Sequence, residues 1–349
     1  MQELLGRLRA LDPEASEGLR VIACFDELMA GGVAAHGLLA AAAALAGTAT
    51  GMRRGGVTVR VDPRGETLAG AAPAECATAE VTSGAVAWIE RDPGHPRAND
   101  ALILERLALA LRLRLDPSLD RVAVQRDFAT AVDPARPHIE RMDAASRLRL
   151  TSGASYRVTV APLFATWRRH PEGPEDVVST PFGPVHVAVI LADAEVDGAP
   201  LGVGGIATID DLPRSFRTAL IALRLHDDRA AAPVRADDLG GLAELLADLP
   251  EHEPADRDAA GMNAIMEHSW GPATVDALVR TSTVREAARA AGIHHSTMTT
   301  RVETVQGVLG FDPLGGLGRT RLGIAFLRWR LRNSHVLELP APAAAPAAR

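Results

Sequence analysis

Thr283-Val284-Arg285-Glu286-Ala287-Ala288-Arg289-Ala290-Ala291-Gly292-Ile293-His294-His295-Ser296-Thr297-Met298-Thr299-Thr300-Arg301-Val302 is the stretch on which the reading of this chain turns. Thr283 with Glu286 three residues on is a capping box, in which each side chain satisfies a backbone N–H of the first turn. It predicts a helix from Val284 to Ala291, stopped at Gly292. A second helix is predicted from His295-Ser296 to about Leu309. Its Met298, Val302, Val305 and Leu309 recur at helical spacing and form one apolar stripe. Ala288 and Gly292 are small where the two helices must cross, and Ile293 follows as a core residue. Ser296, Thr299, Thr300 and Glu303 are left on the opposite face. Two short helices joined by a tight glycine turn form a helix-turn-helix candidate. A recognition helix needs small polar groups and cations near its N-terminus, where bases and phosphates meet it. A plain helical hairpin in a core would carry fewer Thr and Ser there.

Charge is distributed in the same sense. The chain has 349 residues and a net charge of −7, and all 37 of its cations are Arg. That usage reads as coding bias except where Arg clusters. Residues 281–335 hold eight Arg against Glu286, Glu303 and Asp312; this net +5 leaves −12 on the remainder. Arg319, Arg321, Arg328, Arg330 and Arg332 lie on or near a helix built from Leu322, Ala325, Phe326 and Trp329, and are the expected phosphate contacts. Bulk coating of nucleic acid or membrane does not fit an acidic chain, but one local basic face does. Adjacent His294 and His295 point different ways from a helix start and make a poor chelate. Pro272 to Val279 is a further predicted helix, with Pro favourable at its first position.

With 47% hydrophobic and 23% charged residues, the chain is globular and long enough for two or three domains. Two cysteines, Cys24 and Cys76, give neither a disulfide framework nor a four-ligand zinc site, so a cytoplasmic location is expected. The uncharged run Leu28 to Met52 is mostly Ala and Gly, broken at Gly31-Gly32, and reads as buried helix rather than a membrane span. The first 27 residues hold no apolar signal-peptide core. The tail from 336, Ala- and Pro-rich after Leu339, reads as disordered.

The N-terminal region reads as α/β. Helices are predicted over Val21–Met29 and Ala34–Ala46, strands over Val57–Val61 and Ala85–Ile89. A helix capped by Asn99 should run to Leu115. His36 and His95 are isolated and read as structural or surface residues. Residues 116–150 read as a helical connector broken by Pro134 and Pro137. Further strands are predicted at Tyr156–Ala161 and Val185–Leu191, and a helix at Pro213–Leu225. Asp237-Asp238-Leu239-Gly240-Gly241-Leu242 leads into a short helix ending near Leu249-Pro250. Asp193, Glu195 and Asp197 read as a solvated turn. Gly202-Val203-Gly204-Gly205 reads as a bulged strand, because it lacks the rest of a phosphate-loop or dinucleotide signature.

Phe25-Asp26-Glu27-Leu28-Met29-Ala30-Gly31-Gly32, with Leu38-Leu39-Ala40-Ala41-Ala42 and Leu45-Ala46-Gly47, resembles a GAF-type sensor domain. That resemblance implies either a small-molecule pocket or a packed dimerisation module. Leu201-Gly202-Val203-Gly204-Gly205-Ile206, Leu212-Pro213-Arg214-Ser215-Phe216 and Arg235-Ala236-Asp237-Asp238-Leu239-Gly240 resemble the GGDEF-like, ferredoxin- or palm-like domain of PucR and CdaR regulators. Nucleotide cyclases of that fold need strand carboxylates to hold Mg²⁺. Gly183-Pro184-Val185-His186-Val187 stands at the signature loop without an acid, and Tyr156–Ala161 has none, so no enzyme activity and no cofactor are expected.

Gly292 to Val302, continued by Gly310-Phe311-Asp312-Pro313 and Arg321-Leu322, resembles the Fis-type helix-turn-helix that closes PucR-family regulators. By position, the resemblance implies DNA contacts from His294, His295, Ser296, Thr297, Thr299, Thr300 and Arg301. His295 stands where that family usually has a cation, and Thr300 where it often has Tyr. The expected architecture is α/β (α+β) multidomain: a GAF-like domain (1–115), the connector (116–150), a degenerate GGDEF-like domain (151–250), an all-α helix-turn-helix domain (251–335) and the tail (336–349). The expected function is a transcriptional regulator that binds double-stranded DNA as a homodimer, answers a small-molecule or protein signal, and makes no membrane contact. The alternatives are a small-molecule-binding or enzymatic protein in which the helix pair only packs, and an adaptor whose Arg-rich helix meets an acidic partner.

Overall fold

A computed structural model describes residues 13–72, 75–92, 94–114, 126–227, 232–249 and 256–338. Residues 116–125 of the expected connector and 339–349 of the expected tail lie outside them, as do residues 1–12. The chain is mixed α/β and divides into two compact units, Met1–Glu244 with Val336–Arg349, and Leu245–His335. The division falls before the boundary expected at 250.

The first unit contains two sheets, each with its own helices. α1 (Pro13–Ala30) and α2 (Ala35–Ala46) are followed by β1 (Thr50–Arg54), β2 (Val57–Val61), β3 (Ala77–Thr82), β4 (Ala85–Ile89) and α3 (Asp100–Arg114). The strands form an antiparallel sheet of order β2-β1-β4-β3. As expected from its run of Ala and Leu, α2 is buried on nearly every side. It ends where Gly47 turns left-handed (φ 64°) and its N–H closes on the last carbonyls. Phe25, Leu28, Leu38, Leu39, Met52, Ile89 and Leu107 form the core between helices and sheet. Asn99 does not cap α3 with its side chain, which donates instead to Glu17.

α4 (Asp127–Val132) and α5 (His138–Arg147) occupy the second half of the expected connector. Phe128, Ala131, Val132, Ala144 and Ala145 are buried in the second core, so this stretch is part of the fold rather than a link. Next come β5 (Tyr156–Ala161), β6 (Thr166–Arg169), β7 (Glu175–Val178), β8 (Val185–Leu191), β9 (Asp197–Ala199), β10 (Gly202–Val203), α6 (Leu212–Arg224) and β11 (Val234–Arg235). α7 (Ala236–Leu239) follows, then α8 (Gly241–Ala247), within which the division of units falls. The sheet order is β11-β10-β5-β8-β7, with β6 and β9 as a separate ribbon. Glu195 and Asp197 pair with Arg169 and Arg168 across that exposed ribbon, so Asp197 is ribbon rather than turn. The Gly202–Gly205 run serves packing: a Cβ on Gly202 or Gly204 would overlap the backbone of α6. Buried Arg157 reaches Asp237 (2.6 Å) and the Gly204 carbonyl (2.8 Å), which ties β5 to α7 and to the chain just after β10. Val336 and Leu337, expected in the tail, pack against this second core.

The second unit is helical: α9 (Arg257–Met266), α10 (Gly271–Arg280), α11 (Val284–Ala290), α12 (His295–Leu309) and α13 (Gly316–Arg332). The expected stripe Met298, Val302, Val305 and Leu309 is buried against Met262, Ile265, Val275, Leu278, Leu322 and Phe326. Among the described residues no helix is long and apolar enough to cross a membrane.

Candidate nucleic-acid interface

Two reciprocal hydrogen bonds start the helix pair. Thr283 Oγ1 accepts from the Glu286 N–H (3.2 Å), and Glu286 Oε2 accepts from the Thr283 and Ser282 N–H groups (3.0 Å each). These backbone donors, with the Thr283 hydroxyl, hold the Glu286 carboxyl below the usual carboxylate range. α11 stops because Gly292 takes a left-handed conformation (φ 63°). The Ile293 N–H then closes on the Ala288 carbonyl (3.0 Å). Nothing stands within 4 Å of where a Gly292 Cβ would sit, so conformation alone selects glycine. Gly292→Ala is therefore expected to cost the unit about 1 kcal/mol, measured as a lower denaturation midpoint with unchanged slope.

α12 begins with His294, whose Nδ1 accepts from the Ser296 N–H (3.3 Å) and also meets Ser296 Oγ (2.8 Å). His294, His295, Ser296, Thr297 and Thr300 are exposed, Thr299 is half-buried and Met298 points into the core. The first turn thus presents a polar surface at the positive end of a 15-residue helix. Thr299, Thr300 and Thr304 donate their hydroxyls to the His295, Ser296 and Thr300 carbonyls. With their protons so engaged, these hydroxyls have oxygen lone pairs rather than donors left to offer. Such a surface matches base amino groups.

The Arg residues depart most from expectation. Arg301, Arg319 and Arg321 do not reach outward with free guanidinium groups. Arg301 is half-buried; it donates to Thr274 Oγ1 (3.1 Å) and lies over the Trp270 ring, which stacks on His268. Arg319 donates to the Thr281 and Ser282 carbonyls (2.6 and 3.0 Å), satisfying the chain end of α10. Arg321 forms a two-pronged pair with Asp258 (2.6 and 3.0 Å) over the Phe311 ring, and this pairing raises its pKa. Arg328 pairs with Asp256 (2.5 Å). The acids that hold Arg321 and Arg328 lie at the start of α9, outside residues 281–335. Over 245–335 the chain carries ten Arg and ten Asp or Glu, so the compact unit is neutral as a whole.

Sequence reasoning passed over Arg285 and Arg289. Both are exposed on α11 and neither forms an ion pair among the described residues. Their spacing of four, on the side opposite buried Ala287 and Ala288, was the available signal.

Elsewhere His36 bonds Arg126 (2.7 Å) and Thr67, and His95 pairs with Asp92 at the surface. Among the described residues Cys24 and Cys76 form no disulfide, and burial pushes the Cys24 thiol up to about 12. Among the described residues no group of three or more His, Cys, Asp or Glu is placed to hold a metal ion.

The fold and these surfaces define a mixed α/β, multidomain protein with a separate helical unit. No protein-family model and no curated protein matches the chain. Among solved structures it is similar to a regulator of polyketide synthase expression from Bifidobacterium adolescentis, at 12% identity and a TM-score of 0.24. That match covers 59% of this chain and 97% of the other.

Proposed function

We propose that this chain is a sequence-specific DNA-binding transcriptional regulator of the PucR/CdaR type, acting as a homodimer. In this reading α11 and α12 are the helix-turn-helix, and the two sheet-containing parts of the first unit are a GAF-like sensor and a GGDEF-like domain without cyclase activity. The observation that carries it is the exposed first turn of α12, His294 to Thr297 with Thr300, set up by a capping-box helix and a glycine turn. Arg285 and Arg289 supply phosphate contacts. Arg301, Arg319 and Arg321 act indirectly, by holding α12 and α13 against α9 and α10. A dimer follows because one short helix reads only a few base pairs.

The test is binding of the full chain to genomic DNA fragments over a range of salt. Affinity is expected to fall steeply with salt, and the Arg285→Ala, Arg289→Ala double variant to lower the log–log slope by about 2. Thr300→Ala should change sequence preference instead. Absence of specific binding to any genomic fragment at low salt would overturn the proposal. A second reading draws on the neutrality of the helical unit: the helix pair meets another protein. It expects salt-sensitive partner binding with no DNA sequence preference.

A further inference from the structure

The first unit encloses a cleft of about 380 Å³ between its two sheet-containing parts. His36 at the start of α2 and Glu66 lie on one wall. Asp176 on β7, α4 with the turn after it, and Phe216 of α6 lie on the other. Asp176 is more than nine-tenths buried. Its Oδ1 accepts from the Val177 N–H (2.8 Å) and the Ala34 N–H (3.3 Å). Its Oδ2 has no hydrogen-bond partner among the described residues. Oδ2 is not fully buried, so it stays reachable from the cleft, and a carboxylate so largely withdrawn from water gains from a cationic donor.

The cleft's other groups do not fill that need. Arg126 is engaged by His36 Nε2 (2.7 Å) and by Thr67. Burial and the Arg126 charge push the His36 pKa down to about 4, so this imidazole is neutral. Neither group donates to Asp176 Oδ2, which leaves that oxygen open to water or to a ligand. At the rim, Arg136 makes only loose, exposed pairs, to Asp133 (3.6 Å) and Glu140 (3.9 Å). Such pairs exchange readily for a better anion. Between the two ends, Ala129, Val132 and Phe216 offer apolar surface. The volume lies at the small end of the roughly 300–1,000 Å³ usual for ligand sites.

We propose that this cleft binds a small amino-carboxylate, its ammonium group donating to Asp176 Oδ2 and its carboxylate meeting Arg136. This deepens the regulator reading by supplying its effector class, yet binding is measured without DNA, so either idea can fail alone. Calorimetry on the full chain at pH 8 would use the twenty protein amino acids, γ-aminobutyrate and 5-aminopentanoate, with n-butylamine and butyrate as half-molecules. At least one amino-carboxylate is expected to bind one-to-one with a Kd of about 1 mM or tighter, and each half-molecule at least tenfold more weakly.

Asp176→Asn keeps the acceptor for both N–H groups and should abolish binding with the melting transition intact. Thr130→Trp, which fills the cleft from α4 and leaves the Asp176 side chain in place, should abolish it as well. It decides the matter if Asp176→Asn does not fold. Failure of every amino-carboxylate to bind would overturn the proposal. So would survival of binding in a folded Asp176→Asn or Thr130→Trp variant, or binding of butyrate as tight as that of the zwitterion.

Discussion

Glu175→Ala is expected to destabilise the first unit by about 2–4 kcal/mol, from a buried hydrogen-bond partner left unmet and the void that opens. The Glu175 side chain is 2% exposed and lies between two imidazoles, His186 Nε2 at 2.6 Å and His170 Nε2 at 3.0 Å. His170 Nδ1 in turn lies 3.1 Å from Glu27 of α1. The arrangement joins α1, β7 and β8, and it is tight: a Cβ on Gly31 would overlap the Glu175 carboxyl. Without the carboxylate, buried His186 loses its acceptor and a void opens beside Gly31. Glu175→Gln keeps one acceptor and should cost about half as much. Urea denaturation followed through the first unit's transition measures both. An unchanged midpoint for Glu175→Ala would show that the pair contributes nothing net.

The neighbouring substitution should act in the opposite sense. Asp176→Asn is expected to stabilise the first unit at pH 8 by about 2–4 kcal/mol and to have little effect near pH 4. Burial pushes the Asp176 carboxyl up to about 7, against the lowering effect of the Val177 and Ala34 N–H groups; the Glu175 charge adds to the rise. The folded state therefore holds a proton that the unfolded chain, at 3.8, has released. Stability falls as pH rises through that window, by about 1.4 kcal/mol per unit. Asn cannot ionise and escapes the penalty. Denaturation of both proteins at pH 4, 6 and 8 should give curves that diverge upward; parallel curves would refute the assignment. A carboxylate that costs stability in the free protein is understandable if a bound cation repays it.

Much of the secondary structure was legible because its causes are local. β2, β4, β5, β8 and α12 fall where period-two or helical spacing puts them, and the Thr283–Glu286 box and Gly292 turn are both formed. The elements missed have causes that are not local. β1, whose Gly51 lies against Trp88, and β7, whose Glu175 and Asp176 are acids in a strand, carry weak propensity. They are strands because β4 and β8 pair with them. α4 and α5, broken by prolines, looked like a link until Phe128 and Ala144 met the second core.

The candidate interface divides along the same line. The sequence by itself determined the helix pair, its buried stripe and the polar first turn of α12, since each depends on neighbours within about four residues. Only the tertiary structure decided where the charge goes. Arg321 is held by Asp258, 63 residues away, and Arg319 by carbonyls 37 and 38 residues away. A guanidinium follows the nearest desolvated acceptor in space, not in sequence. The local excess of Arg near the C-terminus is therefore largely internal, while Arg285 and Arg289 on α11 form no ion pair among the described residues. The cleft at Asp176 was wholly a product of folding, because its walls come from segments some 140 residues apart whose only signal is the contact itself.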